Sequence, residues 1–252
     1  MRKKIPEGFK EIPFDKREGS RSICAYCLHK ADSRDHLPPE SLFPDSVQPL
    51  NKRTVPCCKA CNHSFSEEDD DWFRNIMTAY CGEDSTVARN LLSTKVVQSG
   101  VKQPHLLKKV SRREEWVELR SPNGIYLGKR KNHMPFTKDE EACITRMLHR
   151  LCKGYYWVIY KRAAPLNTRV KLMPVKSMPK EFINAMGASQ WASTGNPDVF
   201  IWTALPFFMS EEPLCFFWFT FYRKFAMIVL FHMGRYKNVF GRIPSSPLYV
   251  PQ

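Results

Sequence analysis

"CAYCLHKADSRDHLPPESLF", residues 24–43, and "CCKACNHSFSEEDDD", residues 57–71, decide how the first third of this chain folds. Each stretch carries a Cys-x-x-Cys pair, Cys24 with Cys27 and Cys58 with Cys61. A tight knuckle turn lets both sulfurs of one pair face the same ion, and two such pairs close the tetrahedral four-thiolate shell of a structural zinc site. Cys58, rather than its neighbour Cys57, keeps the two-residue spacing. Cys81, Cys143, Cys152 and Cys215 are scattered and read as small buried hydrophobes.

A closed thiolate shell has no open position for chemistry. Attention therefore falls on Asp35-His36, between the pairs, and Asn62-His63, directly after the second. If two short strands carry residues 34–55 and a helix begins soon after Cys61, zinc draws the first strand against the helix start. Asp35 then lies near Asn62 and His63. A carboxylate with an amide oxygen or an imidazole makes a sparse shell suited to Mg²⁺ or a similar divalent cation that keeps waters for a substrate phosphate. His36, pointing to the opposite side of the strand, can take a proton from water.

The remainder of the 252 residues is long enough for a substantial core, and 43% hydrophobic with 13% aromatic residues argues against wholesale disorder. The basic N-terminal stretch lacks an apolar run, so it does not resemble a secretory signal. Arg223 and Lys224 cut the greasiest segment, 214–231, into pieces too short to span a bilayer. Nine cysteines without export argue for reduced thiols and metal ligation, hence a cytoplasmic protein with no membrane partner. The net charge of +14 is concentrated: residues 95–180 hold 20 Lys+Arg against 6 Asp+Glu, while the segments on either side are nearly neutral. Such a patch attracts a polyanion, with nucleic acid the first candidate.

Along the chain, Ser66 and Asp69 fit a capping box, and Trp72, Phe73, Ile76, Met77 and Tyr80 supply an apolar helical face. A second helix starts at Ser85. EEWVEL and IYLG flank a hairpin turn at Asn123-Gly124. Thr137 and Glu140 cap another helix, carried by Ile144, Met147, Leu148 and Leu151 and expected to stop at Gly154. From residue 155 onward YYWVIY, DVFIWTAL, CFFWFTFY and FAMIVLF read as strands of a mixed or antiparallel sheet.

CAYC, RDHLPPESLF and VPCCKACN together resemble the HNH endonucleases of the zinc-stapled ββα-metal type, closely over about residues 21–75. RMLHRLCKGYYW and the segment from SEEPLCFFWF onward are more loosely similar to the C-terminal part of bacterial and phage proteins carrying this module. The resemblance implies a metal-dependent endonuclease cutting phosphodiester bonds in DNA, with RNA left open. His36 matches the general base, Asp35 the neighbouring ligand of a catalytic Mg²⁺, and Asn62 the second ligand, with His63 a possible further contact. Arg53 stands at the spacing of the family's middle Asn, and Asn51 lies two residues earlier.

The expected architecture is therefore α+β. Residues 1–20 form a polar lead-in and 21–82 the zinc-stapled HNH module. Residues 83–154 form a basic helical and hairpin segment, and 155–252 a strand-rich C-terminal part. Lys108, Lys109, Arg112, Arg113, Lys129, Arg130 and Lys131 are the expected nucleic-acid contacts. The rival function is the same zinc-stapled scaffold binding nucleic acid without cleaving it. Oligomeric state and biological role leave no mark in the sequence.

Overall fold

The structure, a computed structural model, describes residues 23–46, 53–66, 69–82, 84–102, 104, 114–133, 136–189, 191–193, 196–208 and 213–233. The lead-in and the expected contacts Lys108, Lys109, Arg112 and Arg113 lie outside them.

The chain enters through a knuckle in which the Cys24 N–H donates to the His29 carbonyl at 2.7 Å and Leu28 takes a left-handed φ of 66°. Strand β1 (Ser33–Leu37) pairs antiparallel with β2 (Arg53–Cys57), setting Asp35 opposite Val55 and His36 opposite Thr54. Because side chains alternate across a strand, Asp35 turns inward and His36 outward. Helix α1 (Lys59–Ser66) follows β2 at once. Its first N–H, on Lys59, donates to the Asp32 carboxylate at 2.7 Å, so a residue just before β1 caps the helix just after β2.

Helix α2 (Asp69–Cys81) buries Trp72, Phe73, Ile76 and Met77 as its period requires. Helix α3 (Thr86–Leu91), capped by the Ser85 hydroxyl, continues through one π turn (Leu92–Val96) into α4 (Val97–Lys102). Strands β3 (Glu114–Arg120) and β4 (Tyr126–His133) form the expected hairpin, with Gly124 at φ 80° in its turn.

The 23-residue helix α5 (Lys138–Tyr160) opens on the expected Thr137–Glu140 capping box, but it does not stop at Gly154. It runs to Tyr160 and ends on Lys161, left-handed at φ 54°. YYWVIY is thus helix, not strand. Gly154 serves close packing: a Cβ there would meet Leu37 of β1 at 2.6 Å. The aromatic residues after it serve tertiary contact, which overrides β-propensity. The Tyr155 ring, for example, lies 4.1 Å from the Trp202 ring.

The remaining strands form one sheet in the order β5-β9-β8-β7-β6, every pair antiparallel. These strands are β5 (Thr168–Pro174), β6 (Ala192–Ser193), β7 (Phe200–Phe208), β8 (Pro213–Phe221) and β9 (Phe225–Met233). On β8, Cys215, Phe217, Phe219 and Phe221 join the main core under α5. Phe216 and Trp218 face the other way, into a smaller core with Met186, Phe182 and Ile183 of α6 (Lys180–Ala188). Two-sided burial explains why this strand is a continuous aromatic run rather than an alternating one. The main core reaches from Cys24 to Phe231, and the expected boundary at 154/155 falls inside α5. The fold is mixed α+β. No described helix is long and apolar enough to cross a membrane.

Candidate metal centre and the polar groups around it

The sulfurs of Cys24, Cys27, Cys58 and Cys61 all lie within 4.8 Å of one another, with Cys27 and Cys58 at 3.5 Å. The knuckle before β1 supplies one pair, and the junction of β2 with α1 the other. Four cysteines so gathered could hold one zinc ion, whose shell would carry a formal charge of −2. Two features suit that charge. The Cys61 N–H donates to the Cys58 sulfur at 3.4 Å, and the ammonium of Lys153 on α5 reaches over to the Tyr26 carbonyl at 3.1 Å. Burial lowers the Lys153 pKa, and the thiolates of Cys61, Cys24 and Cys27 oppose that fall. Cys57 is fully buried, with its sulfur 3.3 Å from the Cys58 carbonyl oxygen, and stands outside the cluster of four.

Asp35 is only 3% exposed. Its Oδ2 accepts from the Tyr26 hydroxyl at 2.5 Å and from Arg150 Nε at 2.9 Å, and its Oδ1 accepts from Arg150 Nη2. The other guanidinium nitrogen, Nη1, donates to Asp70 Oδ1 at 2.5 Å, and the Phe65 ring lies 4.3 Å from the Arg150 guanidinium carbon. Arg150 therefore sits between β1, α1 and α2 with two carboxylates around it. Burial pushes the Asp70 carboxyl up to about 7, against the pull of Arg150 and with Asp35 adding to the rise.

The geometry gives no support to the expectation that Asp35 ligates a catalytic Mg²⁺. A cation ligand needs free lone pairs facing a site that also admits water and phosphate. Asp35 has both oxygens taken by a bidentate guanidinium and a phenol, away from solvent. The Asn62 amide on α1 donates from Nδ2 to the Ser33 hydroxyl at 3.0 Å, one strand repeat from Asp35. His63, the next residue, is exposed on α1. Asp35 with Asn62 does not fit a divalent cation. The acidic run 69–71, besides loading the first turn of α2, is spent on ion pairs. Asp69 meets Arg146 at 2.6 Å, Asp70 meets Arg150, and Asp71 meets Arg74 at 2.7 Å.

The outer face of β1 and β2 is different in kind. His36 Nε2 lies 3.5 Å from Glu40 Oε1, and both side chains are well exposed. Arg34, two residues before His36 and so on the same face, donates from Nη1 to Thr54 Oγ1 at 3.5 Å. Thr54 is the residue directly opposite His36. Imidazole, carboxylate and guanidinium thus share one solvent-facing surface. Arg53, at the spacing of the family's middle Asn, pairs across from Leu37. Lys129 is exposed on β4, where Arg130 and Lys131 follow it, and the hairpin presents Ile125, Tyr126 and Leu127 to solvent.

Sequence reasoning did not single out Tyr26, Arg34, Glu40 or Arg150. One signal for Arg150 was available: Arg146 and Arg150 stand one turn apart on α5, the spacing needed to meet consecutive acids at the start of another helix. Compared with protein-family models, curated proteins and solved structures, the chain matches none.

Proposed function

We propose that this chain is an HNH-type endonuclease that hydrolyses phosphodiester bonds in DNA from the outer face of β1 and β2. The observation that carries this reading is the His36–Glu40 pair beside Arg34, on a hairpin and helix joined through a four-cysteine cluster. His36 accepts a proton from a water molecule. Glu40 orients the imidazole and stabilises the imidazolium that forms. The activated water attacks phosphorus, the P–O3′ bond breaks, and the 3′ oxygen leaves and takes up a proton. Arg34 supplies positive charge to the phosphate on the same face. In the family that charge comes from a divalent cation, whereas in this chain Arg150 already occupies the oxygens of Asp35. The basic residues of β4, with the rest of segment 95–180, hold the DNA backbone without reading its sequence.

The test is conversion of supercoiled plasmid to nicked or linear forms by the zinc-loaded protein, with His36→Ala beside it. Cleavage by the wild type and its loss in the variant is the expected result. Equal cleavage by both proteins removes His36 from the mechanism. A second reading, a zinc-stapled module that binds nucleic acid without cutting it, is favoured by the closure of Asp35 under Arg150. Tight, salt-dependent DNA binding with no cleavage under any ionic condition selects that reading.

A further inference from the structure

We infer that Arg150 is the resident cation of the hairpin–helix unit: its guanidinium fills the space between β1, α1 and α2, and the unit carries no divalent-ion site at Asp35. This inference stands on the ion-pair geometry alone, not on the nuclease reading, so either can fail without the other.

The guanidinium makes three charge-assisted hydrogen bonds to two carboxylates, and Tyr26 completes the shell of Asp35. Phe65 of α1 covers one face of it. The Asp35 and Arg150 side chains are each 4% exposed, so both are almost wholly withdrawn from water. Arg150 is delivered by a separate helix, 115 residues away in sequence, and that helix comes close to β1 because Gly154 lets it. To bind Asp35, a divalent ion would have to expel this guanidinium and leave a buried unpaired charge, an arrangement folded proteins avoid. The two sides also differ in count, with two acids facing one base. The rise in Asp70 reported above follows in part from that excess.

Two measurements test this, both on the full-length zinc-loaded chain. The first is Mn²⁺ binding followed by electron paramagnetic resonance in wild type and Asp35→Asn. Equal Mn²⁺ uptake by the two proteins is expected. A site present in the wild type and lost in Asp35→Asn overturns the inference. The second is thermal unfolding of Asp35→Asn, Arg150→Met and the double variant. Each single change should lower the midpoint markedly, and the double variant should recover part of the sum, because Asp35 and Arg150 lose their charges together and only Asp70 is left without its partner. Additive losses, or an Asp35→Asn protein as stable as wild type, also overturn it. Should Asp35→Asn fail to fold, hydrogen exchange of the wild type with and without Mn²⁺ decides. Failure of a tenfold Mn²⁺ excess to lower the wild type's protection of the Arg150 region against hydrogen exchange is expected, and a loss of protection counts against it. Absence of plasmid cleavage affects only the proposed function.

Discussion

Gly154 on α5 lies against Leu37 on β1, so closely that a Cβ at 154 would come within 2.6 Å of the leucine Cδ1. Residue 150 is one turn earlier on the same helix face. The contact that admits no side chain at 154 is therefore the one that lays Arg150 on Asp35. Gly154→Ala gains helix propensity worth about 1 kcal/mol, but overpacking against the buried Leu37 side chain costs about 1–3 kcal/mol. A net loss of stability is expected in denaturant unfolding, with a larger loss for Gly154→Val. A stabilised Gly154→Ala protein would refute the close-approach account.

Purified protein should carry one zinc per chain, and Cys27→Ser should lose it together with the fold of the knuckle, because binding energy of this kind is largely folding energy. Cys57→Ser should keep its zinc, since Cys57 lies outside the cluster of four. Metal analysis and Co²⁺ substitution spectra read both outcomes. Full zinc content in Cys27→Ser would dismiss the four-cysteine site.

On the outer face, loss of a positioned base should cost roughly 10²–10⁴-fold in cleavage rate for His36→Ala, with DNA affinity near wild type. Glu40→Gln removes the carboxylate that orients the imidazole and should cost less. A larger loss in Glu40→Gln than in His36→Ala would reverse the two roles.

Changing Lys129, Arg130 and Lys131 together to Ala should weaken binding to all DNA sequences alike. The slope of log affinity against log salt should fall by about 0.9 for each phosphate contact removed. An unaltered slope in a fluorescence-anisotropy titration would assign the hairpin's charge to solubility.

His149 of α5 is held at 3.2 Å from the Thr168 hydroxyl, and burial, with Lys153 nearby, lowers its pKa from about 6.5 to about 4. The folded state therefore binds fewer protons than the unfolded chain across that window, and His149 makes stability fall as pH drops from about 6.5 to about 4. His149→Gln should flatten this part of the stability-against-pH curve. The comparison of variant with wild type cancels groups common to both, Asp70 included. Parallel curves would show that folding leaves the His149 pKa where it is in the unfolded chain.

The local rules were legible and the long-range partners were not. Cys24, Cys27, Cys58 and Cys61 announced their cluster by spacing, and Thr137 with Glu140 announced the start of α5, because both signals span a few residues. Gly154 misled for a physical reason: a glycine ends a helix when it supplies a left-handed residue, yet it continues one when a neighbouring side chain, here that of Leu37, occupies its empty side. Tyr155 and Tyr156 misled likewise, since their rings serve contact with Trp202 and Phe231 rather than a strand. Asp35 and His36 were expected on opposite sides of one strand, but the buried partner of Asp35 was not visible. Nothing near residue 35 in sequence indicates that a guanidinium from residue 150 will arrive beside it.

That separation of 115 residues imposes an order on synthesis. A ribosome that has delivered residue 66 has already released all four cysteines, so the nascent chain can capture its zinc early. Asp35 must then wait, paired only with water or Tyr26, until α5 emerges. Domains generally form as they leave the ribosome, N-terminal parts first, but here the last buried charge of the first module is neutralised by a helix from the second half of the chain. Fragments ending before residue 138 would hold zinc on an unfinished core, with Leu37 and Phe65 uncovered and exposed to the chaperones that survey unfinished chains.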